Sequence, residues 1–187
     1  MSLVVERRSD SFTLAEVAER AGVSVGAIYG RVSSKADLLR TAHAREMERL
    51  TDRTVAAFST PGGEVEDIER TVARVVRTTG EVLRDNAAIL AGFTYLALDD
   101  RQIVEVGQSA FHELVDAYKE HLLASRAEIT ASDPEAAVDW TFVVVFSVIA
   151  RWLGLGSDPT VAGEGDWDAV LANLVEMVSA YLTRPRV

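Results

Sequence analysis

Between Phe12 and Leu39 the sequence writes three helix starts in succession, and no other stretch restricts the fold so tightly. Thr13 and Glu16 have the T-x-x-E spacing of a capping box, with Phe12 and Val17 at the flanking staple positions and Leu14, Val17, Ala18 and Ala21 forming an inward face. Gly22 can take the left-handed conformation that ends this helix. After a turn of about three residues, Ser24 caps a second, short helix predicted over Val25–Val32. Ser34 and Asp37 then open a third, with Lys35 in its first turn and Leu38 and Leu39 inward. Two short helices joined by a tight glycine turn and followed by a third form a helix-turn-helix.

The second helix has an unusual exposed face. At 100° per residue, Val25, Ile28 and Val32 fall on one side, to pack on the first helix, while Gly26, Ala27, Gly30 and Arg31 fall on the other. Each helical glycine costs roughly 1 kcal/mol relative to alanine. Two on one exposed face suit a backbone that must come close to a partner, such as the floor of a DNA major groove.

Beyond the motif the chain reads as all-α, without sustained strand alternation or internal repeat. Breaks are predicted at Gly22–Ser24, Ser33-Ser34, Ser59-Thr-Pro-Gly-Gly63, Asp85-Asn86, Asp99-Asp100, Thr130–Pro134 and Gly154–Gly165, and eight helices fit between them. Glu64–Arg84 is amphipathic through Val65, Ile68, Val72, Val75, Val76 and Leu83. Gln102–Ile129 carries Phe111, Val115, Tyr118 and Leu122 on one face. Asp133-Pro134 opens a helix that is apolar nearly all round from Val138 to Leu153, and Trp167–Leu182 has a wide apolar stripe. The domain division expected is a helix-turn-helix domain over residues 1–50 and a helical bundle over 51–187.

Charge is distributed unevenly. The net charge of −10 over 187 residues looks wrong for a nucleic-acid binder, which needs a basic face to neutralise phosphates. Residues 1–58, however, hold 9 Lys+Arg against 8 Asp+Glu, or +1, leaving 10 against 21, or −11, for the rest. The absence of cysteine excludes disulfides and thiol chemistry and accords with a cytoplasmic location. Neither a signal peptide nor a membrane span is expected, Trp140–Ala150 being too short to cross a bilayer. His43, His112 and His121 lack metal-ligand spacing, and no catalytic or phosphate-loop pattern occurs, so no metal, no cofactor and no enzymatic activity are expected.

The run Thr13-Leu-Ala-Glu-Val-Ala-Glu-Arg-Ala-Gly-Val-Ser24-Val-Gly-Ala-Ile-Tyr29-Gly-Arg-Val-Ser-Ser34-Lys-Ala-Asp-Leu-Leu39 resembles the DNA-binding domain of the TetR family of regulators. The resemblance covers about the first fifty residues; the remainder is similar only in helical layout and length. It implies a homodimer that represses transcription from a double-stranded operator until a small molecule enters the C-terminal domain. Position by position it implies phosphate contacts from Thr13, Ser24, Tyr29 and Lys35. Gly26, Ala27, Gly30 and Arg31 would face base edges, with Arg31 suited to bond guanine O6 and N7 together. Position 27, often a hydroxyl residue in the family, is alanine here, and position 32, often aromatic, is valine. Only Leu3–Arg8 is available for the helix that normally precedes the motif, so that helix is expected to be shortened and the DNA binding of this chain weakened.

In the C-terminal part the expectation is a cavity for a largely apolar effector, bordered by Phe93, Phe111, Tyr118, Trp140 and Val144 on inward stripes, with His112 and Thr141 as polar anchors. Dimerisation is expected through Glu135–Leu153 and Trp167–Leu182, and Val178→Glu is expected to break it. The rival readings are a DNA-binding protein without effector and a helical protein-interaction module.

Overall fold

The computed structural model describes residues 2–7, 11–59, 66–155, 162, 163 and 165–184. Among these residues it is all-helical: α1 (Ser2–Arg7), α2 (Leu14–Ala21), α3 (Val25–Tyr29), α4 (Lys35–Phe58), α5 (Ile68–Leu96), α6 (Arg101–Leu123), α7 (Pro134–Trp152) and α8 (Trp167–Thr183), with a 3-10 turn over Arg126–Glu128. None of the helices is long and apolar enough to cross a membrane.

The chain divides into two compact units. One comprises Met1–Arg49 and Ala88–Ala110, the other Leu50–Ala87 and Phe111–Val187. The division expected at residue 50 therefore lacks one piece, because the end of α5 and the start of α6 belong with the N-terminal residues. The helices α4, α5 and α6 each contribute residues to both units.

In the first unit, α2 packs on α3. Leu14, Ala18, Ile28 and Val32 form a small buried core, with Val17 and Leu38 against it. Val25 differs from the expectation: it is exposed rather than packed on α2. The helix it opens has only five residues, ending at Tyr29 instead of Val32. Beyond it the amides of Arg31 and Val32 both donate to the Ile28 carbonyl, so a tightened turn replaces the last helical turn.

The second unit has the larger core. Val72, Val75 and Val76 of α5, Tyr118 and Leu122 of α6, Val138, Phe142, Val145 and Ile149 of α7, and Leu171, Leu174, Val178 and Leu182 of α8 are buried together. Side-chain caps begin the helices: Asp133 Oδ1 accepts from the Ala136 amide at 3.1 Å, with Pro134 at the first helical position, and an Asp166 carboxylate oxygen accepts from Ala169 at 2.9 Å.

Three sequence expectations are corrected here. The break at Asp85-Asn86 is absent, and α5 runs through it. Asn86 is buried and donates from Nδ2 to the Val82 carbonyl at 2.7 Å, so its amide is satisfied inside the helix instead of interrupting it. The helix expected to reach Ile129 ends at Leu123 and gives way to the 3-10 turn. Val178, expected at a surface between two chains, is fully buried in the core of this one. Most of the Ser59–Gly63 and Gly154–Gly165 breaks, and Glu64 and Val65, lie outside the described residues.

Candidate nucleic-acid interface

The three helix starts form with the chemistry their sequence encodes. The Thr13 amide donates to Glu16 Oε2 at 2.7 Å and the Glu16 amide to Thr13 Oγ1 at 3.2 Å, closing the capping box in both directions. Gly22 sits at φ 67° and its amide donates back to Ala18 and Glu19, which ends α2 and turns the chain. Ser24 Oγ then accepts from the Ala27 amide at 3.1 Å. The third start is shifted by one residue on its return arm. Ser34 Oγ accepts from the Asp37 amide at 3.1 Å, but the Asp37 carboxylate reaches back to the amide (2.8 Å) and hydroxyl (3.0 Å) of Ser33. Those two bonds favour the ionised carboxylate and hold its pKa below the ordinary value.

These caps present a coherent face. Thr13, Ser24, Gly26, Tyr29, Gly30 and Arg31 are exposed, and Ala27 and Lys35 are half-buried. Tyr29 is 58% exposed, its ring as well as its hydroxyl reaching solvent. Each capping hydroxyl accepts from its own helix and has a proton to donate outward; that of Thr13 is directed at Glu16 Oε2 at 3.1 Å in the free protein. Lys35 extends over the Phe12 ring, with Nζ 4.8 Å from the ring centroid, so this cation is positioned by an aromatic face at the start of α4.

Gly26 within α3 and Gly30 at its C-terminal cap are not required by the protein itself. A Cβ on Gly26 would meet nothing closer than Ser24 Oγ at 3.9 Å, and one on Gly30 would meet Gly26 O at 3.5 Å, an ordinary contact. Gly30 has φ −72°, ordinary right-handed helical backbone. Neither packing nor backbone conformation excludes alanine at either position.

The residues expected to border an effector cavity are divided between the two units. Phe93 belongs to the first unit, where its ring meets His43 edge-on at 4.3 Å. In the second unit Tyr118 is fully buried, its hydroxyl donating to Thr141 Oγ1 at 3.2 Å, and burial raises its pKa well above the ordinary phenol value. Phe111 contacts Phe142 and Phe146 edge-on at 5.6 and 5.0 Å, and Tyr118 meets Phe142 at 5.2 Å. Phe111 and Trp140, expected to face inward, are 39% and 56% exposed; His112 is exposed and Val144 half-buried. An all-round apolar helix such as α7 has no periodic signal to show which side is inward, which is why Trp140 was misplaced.

Sequence reasoning left one feature open, His43 as a solvated or a core histidine, and missed a second. On α4, Leu39, His43 and Met47 recur every fourth residue and are all buried, so the spacing itself marks His43 as a core position. The second is the Arg40–Asp100 ion pair, at 2.8 Å, which joins residues sixty apart and has no local signature.

Residues 2–42 match the family model described as bacterial regulatory proteins, tetR family. No curated protein matches the chain by sequence. Among solved structures, the fatty acid degradation regulator FadR of Bacillus halodurans is similar at 16% identity and a TM-score of 0.66, covering 95% of this chain and 92% of its own. A protein described as a TetR-family transcriptional regulator from Mesorhizobium loti is similar at 16% identity, TM-score 0.69 and the same two coverages. One so described from Rhodococcus sp. is similar at 18%, TM-score 0.64, covering 96% of each chain. The tetR-family model thus lies over the helix-turn-helix of residues 2–42, and the fold of the solved structures is shared along nearly the whole chain, the arrangement expected of a DNA-binding transcriptional regulator.

Proposed function

We propose that the protein is a cytoplasmic homodimeric repressor that reads its operator with α3 of each chain and releases it when a small, largely apolar molecule binds in the second unit. The observation that carries this reading is the face made by Gly26, Tyr29, Gly30 and Arg31, exposed on α3 and the turn that follows it. In this reading Thr13, Ser24, Tyr29 and Lys35 hold phosphates, while Ala27 offers an apolar contact such as a thymine methyl and Arg31 reads guanine.

Dimerisation is supported by the outer side of α7 and α8. Trp140, Val143 and Val148 on α7 and Met177 and Tyr181 on α8 are exposed large apolar residues on two helices that pack against each other. A twofold pair of such surfaces would bury them and set two recognition helices for two half-sites. Effector binding is supported by the cluster of Phe111, Phe142, Phe146 and Tyr118, with His112 and Thr141 beside it as polar anchors and Val144 on the same helix as Thr141. One structural relative is named as a regulator of fatty acid degradation, which makes hydrocarbon-chain compounds a sensible first panel. DNA binding without an effector is the second reading, favoured by the internal engagement of both buried hydroxyls, Tyr118 donating to Thr141 and Thr141 to the Val138 carbonyl.

The test is fluorescence anisotropy on the intergenic DNA upstream of the gene, with random duplex as control. Lys35→Ala should weaken binding to both duplexes, and Arg31→Ala should remove about 1–3 kcal/mol of discrimination at one base position. Equal losses on specific and random DNA for Arg31→Ala would remove its readout role. Apolar compounds that raise the melting temperature should also release the duplex; a panel with no such compound leaves the effector-free reading.

A further inference from the structure

His43 is the most enclosed ionisable group described in the first unit. It lies on α4, eight residues beyond the start of that helix at Lys35, and is 2% exposed. Its ring meets Phe93 from the end of α5. A Cβ on Gly107 of α6 would lie 3.9 Å from His43 Cε1, so the imidazole also rests close to bare backbone. Buried Nδ1 has no hydrogen-bond partner. One turn earlier on the same helix, Arg40 Nε donates to Asp100 Oδ2 at 2.8 Å, and Asp100 also accepts at Oδ1 from the Gln102 amide at 3.1 Å as α6 begins. The helix leading out of the helix-turn-helix is thus held to the 88–110 segment by an ion pair at Arg40 and by the imidazole at His43, all within one compact unit.

The two contacts respond differently to acid. A neutral imidazole can rest in an apolar socket, but a protonated one carries a charge and a second donor into a place where Nδ1 has nothing to donate to. The charged groups on the packed elements do little to compensate. Asp100 favours the cation but is engaged by Arg40 and by its own helix start; Glu46, one turn further along α4, is bonded to Arg49; Glu105 on α6 is bonded to Arg101; and the stretch of α5 from Ala88 to Leu96 carries no charge. Burial consequently outweighs Asp100 and lowers the His43 pKa from its ordinary value.

We propose that His43 is an acid-sensitive latch: a proton on its ring undocks α4 from the 88–110 segment, and operator binding weakens with it. The sign follows from linkage. A histidine with a depressed folded pKa contributes stability that is present above the unfolded value near 6.5 and is lost as pH falls toward the folded value. The operator consequence rests on the reading above, whereas the latch does not.

Hydrogen exchange measured at pH 7.5 and 5.5 tests the latch without DNA, each pH being compared with a His43→Phe variant that keeps an aromatic ring and cannot titrate. In the wild type the opening of residues 39–47 and 100–107 should increase relative to the variant, by up to about tenfold, the limit reached when the closed ring stays unprotonated while an opened one is protonated about ten to one at one pH unit below 6.5. Residues 138–149 of α7 should show no such difference. Equal behaviour of wild type and variant overturns the latch. If His43→Phe does not fold, the ring resonances decide: a His43 that titrates at or above the ordinary value overturns it, and one that titrates below supports it. Operator affinity of the wild type relative to the variant should fall over the same interval; opening without that fall removes the regulatory half alone.

Discussion

Gly26 and Gly30 illustrate how a residue can be unfavourable for folding and useful for binding. A helical glycine loses about 1 kcal/mol to alanine through backbone entropy, and here an added methyl meets only open space or ordinary contacts. Gly26→Ala or Gly30→Ala should therefore raise the melting temperature while lowering operator affinity, because the methyl group holds the α3 backbone away from the groove floor. Calorimetry and anisotropy on the same samples check it, and an alanine variant that gains stability at unchanged affinity would show that close approach is not the use of these positions. The three caps and the exposure of Gly26, Gly30 and Arg31 were legible in the sequence, since each rests on local spacing. That Val25 is exposed and Ala27 half-buried was not, because the helix closes at Tyr29 and the 100° projection was drawn through three further residues.

At the scale of elements, the approach of α8 to α5 depends on one missing side chain. A Cβ on Gly80 would lie 2.6 Å from Leu171 Cδ2 and 3.1 Å from the Trp167 ring, and Leu171 is 1% exposed, so its methyl has little room to yield. The Trp167 indole is held from the same side, Nε1 donating to Glu81 Oε1 at 3.0 Å and the Arg84 guanidinium lying 5.2 Å from the ring centroid. Gly80→Ala gains about 1 kcal/mol of helix propensity but incurs about 1–3 kcal/mol of overpacking. The expected net result in denaturant unfolding is a loss of stability, and a stabilised variant would mean that α8 can shift outward at little cost. The sequence offers Gly80 only as a weak spot in a helix; its role appears when a residue ninety positions away is brought against it.

For the whole molecule, the exposed apolar residues on the outward side of α7 and α8 are where the proposed dimer is tested. Met177 is 41% exposed and its neighbour Val178 is fully buried. Met177→Glu should give a folded monomer by light scattering, whereas Val178→Glu places a charge inside one chain's core, costs several kcal/mol and should unfold it. An unchanged dimer mass for Met177→Glu would move the interface elsewhere. The sequence by itself determined the helical class, the caps and turns of residues 12–39 and the family they resemble, because these depend on interactions within about four residues. Only the tertiary structure decided that Asp85-Asn86 does not break α5, that Phe93 and His43 meet, that Arg40 pairs with Asp100, and that Val178 lies inside while Trp140 lies outside. The reason is physical: on helices apolar nearly all round, burial is assigned by which neighbours arrive, and periodicity carries no record of them.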